Sequence, residues 1–249
     1  LGAIGTGNIA DGTITASFGT SGTIYGCAEK PIIDPNGEIA AFCDSTDRWL
    51  PLVCTMNVTV VTEQVCGWFG WDHAELEKQV SSVPAGSEGV SFLPYLNGER
   101  TPNLPNGTGV IHGLGARTGS PAHMARAAME GATLGLAYGL RRFNELGLTP
   151  GEIRLTGGGS KSGIWRQISA DVFGVLVVGL ATAEGAGLGG AIQAAHADGQ
   201  GSYEELCGRL VLLDESTRCE PEAEAAGVYR EKLDRQVALT GVLKDAGML

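Results

Sequence analysis

Two stretches of this chain set uncovered backbone beside small hydroxyl side chains, a pairing whose natural ligand is phosphate. In "SFGTSGTIYG", Ser17 to Gly26, Gly19 and Gly22 permit positive φ, while Thr20, Ser21 and Thr23 bring hydroxyls next to exposed N–H groups. The flanking "TITA" and "TIYGC" are rich in β-branched and aromatic residues, so the segment reads as strand, tight turn, strand. A hairpin that simply needs glycines explains the same residues, and this segment alone leaves both readings open. In "LTGGGSKSGIWRQ", Leu155 to Gln167, a short apolar strand runs directly into Gly157, Gly158 and Gly159, then into a helix carrying Trp165, Ile168 and Val172 on one face. Ligands of α/β sheets bind at the carboxyl ends of strands, and the following helix adds a positive N-terminus. A plain strand-to-helix turn seldom needs three glycines in a row, which favours ligand contact here.

Other motifs carry less. "GTGNIA", Gly5 to Ala10, has the spacing of a dinucleotide fingerprint, with Glu29 downstream, but a strand must precede that motif and a helix follow it. Four residues precede Gly5 and a strand-like hairpin follows, so the match is a chance one. "FLPYLNGERTPNLP" holds Glu99 beside Arg100 in a proline-bounded loop, which reads equally as an incidental ion pair and as a functional one. His73, His112, His123 and His196 have no companions at metal-ligand or triad spacing and are expected at the surface or at helix caps. Cys27, Cys43, Cys54, Cys66, Cys207 and Cys219 contain no C-x-x-C pair and are expected to be buried free thiols.

These stretches must be positioned by elements that the pattern outlines. After the hairpin, "EIAAFCDST" and "RWLPLVCTM" read as further antiparallel strands. Helices are expected over Asn57 to Phe69 and Asp72 to Val80, then an irregular stretch, then a core helix from Pro121 to Leu146. In that last helix Ala127, Ala128, Gly131 and Gly135 recur three or four apart, so another element can pack very close to it. The carboxy-terminal half alternates: strand "EIRLTG", helix Ser162 to Phe173, strand "VLVVG", helix Gly185 to Ala197, then two charged helices to the end. Antiparallel strands first and β-α-β-α second describe an α/β protein with a mixed sheet flanked by helices.

At 249 residues and 43% hydrophobic, the chain can bury a substantial core. Its net charge of −11 argues against a nucleic-acid partner, yet local N–H groups can still hold phosphates. No apolar run reaches the roughly 18–20 residues of a membrane span, and no signal-peptide pattern opens the chain, so a cytoplasmic protein without a membrane partner is expected. Leu1 is not an initiator methionine, and "LGAIG" starts inside a packed-looking pattern, so a longer parent chain is expected too.

Taken together, the pieces resemble the FGGY carbohydrate kinase family from Leu1 to about Gly199. "SFGTSGT" is similar to the family's phosphate-binding hairpin, and "LTGGGSKSGIWRQISAD" to its adenine-binding stretch. "GVIHGLGARTGSPAHMARAAMEG", Gly109 to Gly131, fits its second signature, including Gly113, Leu114 and Glu130. "FLPYLNGERTP" is particularly like its pentulose and gluconate kinases. The resemblance implies a ribonuclease-H-like (actin-like ATPase) domain that binds ATP with Mg²⁺. It places Gly19, Thr20 and Ser21 at the ATP phosphates, Gly158 and Ser162 against adenine in a turn shared with Gly157 and Gly159, and Asn57 near the nucleotide sugar. The implied reaction is transfer of the γ-phosphate to a hydroxyl of a pentulose, D-xylulose first, with gluconate, ribulose and glycerol as alternatives. A non-catalytic actin-like nucleotide-binding module is the alternative of another class. Aligning Gly2 and Gly5 with the family's glycine-rich segment puts its catalytic aspartate just upstream of Leu1, after an N-terminal sugar-binding domain, the expected partner of this one. The resemblance leaves room for a homodimer.

Overall fold

The computed structural model describes residues 1–182 and 185–249. Strands β1 (Thr13–Phe18) and β2 (Gly22–Gly26) form the expected hairpin, with Phe18 opposite Gly22 at its closed end. Strand periodicity sends Ile14, Ala16 and Phe18 of β1 into the main core, and Thr15 to the other face. Next to β2 comes β4 (Trp49–Thr55), edged by the short β3 (Ala40–Cys43), and all of these neighbours are antiparallel. On its other side β1 pairs in parallel with β7 (Glu152–Thr156), and β7 with β8 (Leu176–Leu180). Last comes β9 (Leu213–Cys219), antiparallel to β8, giving the order β3-β4-β2-β1-β7-β8-β9. An antiparallel meander continued by parallel crossovers is the actin-like mixed sheet that the resemblance implies.

Strand β9 lies where the sequence reading expects only charged helices. Its "LDESTRC" has no apolar alternation because it is an edge strand, held by backbone pairing and by Thr217 Oγ1 accepting from Gly179 N (2.8 Å). The two flanking helices are α7 (Tyr203–Leu210) and α8 (Ala223–Asp245). A short helix α1 (Gly2–Gly5) precedes β1, so "GTGNIA" runs from helix to strand, the reverse of a dinucleotide fingerprint. Thr6 Oγ1 and Asn8 Nδ2 both reach Thr15 Oγ1 (2.7 and 3.2 Å), tying this segment to β1. All six cysteines are free, but only Cys27, Cys66 and Cys207 are buried, and Cys43 is exposed on β3.

Helices cover both faces of the sheet. On the Thr15 side, α1 and α7 pack with α6 (Gly185–Ala197) around Ile4, Ile9, Ile192, Leu206 and Cys207. A Cβ on Gly5 would overlap the Gly185 carbonyl, so these helices meet backbone to backbone. The other face carries α2 (Thr59–Phe69), α3 (His73–Ser81), α5 (Gly163–Phe173) and α8 around the long α4 (Pro121–Glu145). Ser120 caps α4, and Pro121 supplies a pre-set φ where no intrahelical donor is needed. Gly131 and Gly139 give the close approach expected of this helix: a Cβ would overlap the Phe92 carbonyl at Gly131 and sit 2.6 Å from Val53 at Gly139. Gly135 is different, with no atom within 4 Å of such a Cβ.

Glu130 of α4 is fully buried, and its carboxylate organises the polar interior. Oε1 accepts from Gly86 N (2.9 Å), Arg126 Nε (2.8 Å) and Tyr229 OH (2.9 Å), and Oε2 from Ser87 Oγ (3.0 Å) and Lys232 Nζ (2.8 Å). Lys232 also donates to the carbonyls of Gly86 (3.0 Å) and Val90 (2.6 Å), and burial lowers its ammonium pKa. The loop so held is left-handed at four successive residues, with φ of 84° at Gly86, 50° at Ser87, 47° at Glu88 and 91° at Gly89. Such φ at Ser87 and Glu88 costs about 1–2 kcal/mol per residue, offset by these bonds.

Two outcomes follow for stability. Glu130→Ala strands Arg126 and Lys232 as buried cations and should lower unfolding free energy by about 3–5 kcal/mol, read from urea denaturation. Gly135→Ala should raise stability by about 0.5–1 kcal/mol, the usual gain inside a helix, whereas Gly131→Ala should lower it. Equal effects of the two glycine changes would contradict the packing described for α4.

Candidate functional site

The three glycines after β7 have three different environments. Gly157 sits at φ 87°, and a Cβ there would lie 2.5–3.0 Å from the backbone O, C and N of Phe18. It therefore presses the turn onto the last residue of β1, immediately before the hairpin tip. A Cβ on Gly159 would meet Phe18 Cβ at 3.0 Å and Trp165 Cε3 at 3.3 Å. Gly158 alone has open space, and it lines a cleft. Beneath the turn Trp165 stands edge-on to Phe18 (5.3 Å between centroids) and donates from Nε1 to Thr133 Oγ1 of α4 (2.8 Å). Ser162 is the N-cap of α5, its Oγ accepting from Trp165 N (3.3 Å), so the turn, the helix and the hairpin form one unit.

The hairpin tip Gly19–Thr20–Ser21 is joined to α2. Gly19 O accepts from Thr59 N and Thr20 O from Val58 N, both at 3.0 Å, so the tip's carbonyls satisfy amides at the start of that helix. Thr20 and Ser21 are exposed, with no side-chain hydrogen bond inside the fold among the described residues, which leaves both hydroxyls free for a ligand. Asn57 differs from the sequence expectation. It is 1% exposed, with Nδ2 donating to Gly98 O (2.7 Å) and Glu99 Oε2 (3.0 Å) and Oδ1 accepting from Asn97 N (3.3 Å). It does not line the cleft, and its amide is bonded to the 97–99 loop.

The cleft has a volume of about 530 Å³, inside the roughly 300–1,000 Å³ range of small-molecule sites. Gly158, Gly159, Lys161 and Ser162 line one wall, Thr59, Thr62 and Glu63 of α2 the facing wall, and Met129 of α4 the floor. Residues of α3 complete it, among them His73, which pairs with Glu63 (2.7 Å). The two α2 threonines, Lys161 and the α3 side chains are missing from the sequence reading. The visible signal was the threonines Thr59 and Thr62, three residues apart and so on one side of the helix. Of the other histidines, His123 joins Ser120 and Glu88, and His196 stacks on Tyr203, both structural roles.

Gly19, Thr20 and Ser21 do not themselves line the cleft, but Thr59, which does, donates its backbone N to Gly19 O, so the tip lies beside the α2 wall. The C-terminal domain of the FGGY family of carbohydrate kinases is matched over residues 14–197. Xylulose kinase of Haemophilus influenzae is 44% identical over 94% of this chain and 48% of its own length. Among solved structures, ligand-bound xylulose kinase from Lactobacillus acidophilus aligns with a TM-score of 0.90 at 26% identity, covering 98% of this chain and 50% of that one. Gluconate kinase from the same organism aligns with a TM-score of 0.88 at 26% identity, over 96% and 49%. The chain thus spans about half the length of the curated relatives it matches. Both glycine-rich turns lie within the matched residues, and the chain belongs to the FGGY family of carbohydrate kinases, whose C-terminal domain it contains.

Proposed function

We propose that this chain is the ATP-binding side of a sugar kinase that transfers the γ-phosphate of MgATP to a hydroxyl of a pentulose, D-xylulose foremost. The observation that carries the reading is the junction of the two turns: Gly157 packed on the Phe18 backbone sets the open Gly158 and the free hydroxyls of Thr20 and Ser21 on one rigid unit. Adenine lies over Gly158 beside Ser162, and the phosphates run past Thr59 to Gly19, Thr20 and Ser21. Mg²⁺ arrives on the triphosphate. Among the described residues no group of three His, Cys, Asp or Glu side chains is placed to hold it. The pentulose follows from the xylulose kinases among the relatives, and the sugar-binding half and the general base belong to the remainder of such an enzyme. Phosphoryl transfer then rests on placement and charge stabilisation, with the nucleotide held here and the acceptor brought to it by the partner domain.

Gly158→Val tests the nucleotide site, because a Cβ at this position meets no atom of the fold within 4 Å and Gly158 lines the cleft. ADP affinity by calorimetry should fall by more than about tenfold, the equivalent of 1.4 kcal/mol, with an unchanged unfolding midpoint. Equal affinity in both proteins would remove adenine from this wall.

The substrate is tested separately. An enzyme carrying this chain with its sugar-binding half, assayed by ADP release, should turn over D-xylulose with kcat/KM at least about tenfold above D-ribulose, gluconate and glycerol. A preference for gluconate would support the reading favoured by the gluconate kinase structure. Nucleotide binding without turnover of any acceptor would leave a non-catalytic module.

A further inference from the structure

The nucleotide reading does not use the "GERTP" loop, whose adjacent charges look like an ion pair in the sequence. They do not pair. The Glu99 carboxylate is 4% exposed and turned inward, accepting from Met56 N (2.6 Å), Asn57 Nδ2 (3.0 Å) and the backbone N of Arg100 (2.8 Å). Backbone bonds between Glu99 and Leu104 (2.7 and 2.9 Å) close the loop behind it. Arg100 has no such anchor for its side chain. It is exposed, and among the described residues its guanidinium makes no hydrogen bond or ion pair, unlike those of Arg126, Arg142 and Arg154.

The position of this free charge follows from the sheet register. Gly22 pairs with Thr55, so the next residues outward, Ser21 of the tip and Met56, come side by side. Met56 N is bonded to Glu99, and Arg100 follows Glu99, which anchors it beside the tip at the end away from Gly158. The tip itself offers only neutral donors. In a chain of net charge −11, an unpaired guanidinium at the far end of a row of hydroxyls and N–H groups has the chemistry of a phosphate receptor.

We propose that Arg100 binds the terminal phosphate of the nucleotide, and that Glu99 is the buried anchor that holds Arg100 beside the hairpin tip without neutralising it. This rests on the nucleotide reading of the cleft. The test is calorimetric titration of ATP, ADP and adenosine into wild type, Arg100→Gln and Arg100→Lys, with unfolding midpoints as the control for folding. Arg100→Gln should weaken ATP by about tenfold or more, ADP by less, and adenosine not at all, and Arg100→Lys should recover part of the ATP loss. Wild type binding ATP while Arg100→Gln binds it equally well, or loses ATP and adenosine alike, would overturn the assignment and leave the cleft intact. Wild type binding neither ATP nor ADP would sink the cleft and this proposal together.

Discussion

The Glu130 carboxylate has no contact with solvent, and the packing of α4 against α8 and the 86–89 loop accommodates that. An ionised group in an apolar interior is tolerable only when donors surround it, and here they come from three parts of the chain: the Gly86–Ser87 loop, Arg126 of its own helix, and Tyr229 and Lys232 of α8. The set therefore fixes α8 against α4 and holds the left-handed turn that feeds β5 (Ser91–Leu93). Strand β5 in turn lies so near α4 that only glycine fits at position 131. One carboxylate thus sets the spacing of helix, loop and strand.

That rigid layer is the floor of the cleft. Met129, the neighbour of Glu130, faces the cleft, and Thr133, one turn on, holds the Trp165 indole beneath the triglycine turn. In the proposed reading a nucleotide meets a surface that packing has already set. The hairpin and the turn are already locked by Gly157 on Phe18, and the tip by the first amides of α2. For the kinase proposed above, such pre-set contacts fit a reaction in which positioning and charge stabilisation carry most of the work.

A second buried carboxylate, Glu99, does the same on a smaller scale at the β4–α2 junction. Burial pushes its pKa up, while the donors of Asn57, Met56, Arg100 and Thr101 pull it back. Asn57, expected at the nucleotide sugar, bonds through its side-chain amide to Gly98, Glu99 and Asn97 of this anchor.

The sequence by itself determined the parts whose physics is local. The hairpin at 17–26, the triglycine strand-to-helix turn, the core helix from Pro121 and the β-α-β-α half were all legible, since turn chemistry and periodicity act within a few residues. Family membership was legible for the same reason. Strand β9 was not, because an edge strand stabilised by backbone bonds to β8 has no need of an apolar pattern. Nor were the separate duties of Gly157, Gly158 and Gly159, identical in type and divided only by what the fold brings against each. The partners of Glu130 and Glu99 lie up to 102 and 43 residues away in sequence. Long-range electrostatics of this kind exists only once the chain has closed, so the tertiary structure alone decided which charges are buried anchors and which, like Arg100, are left free.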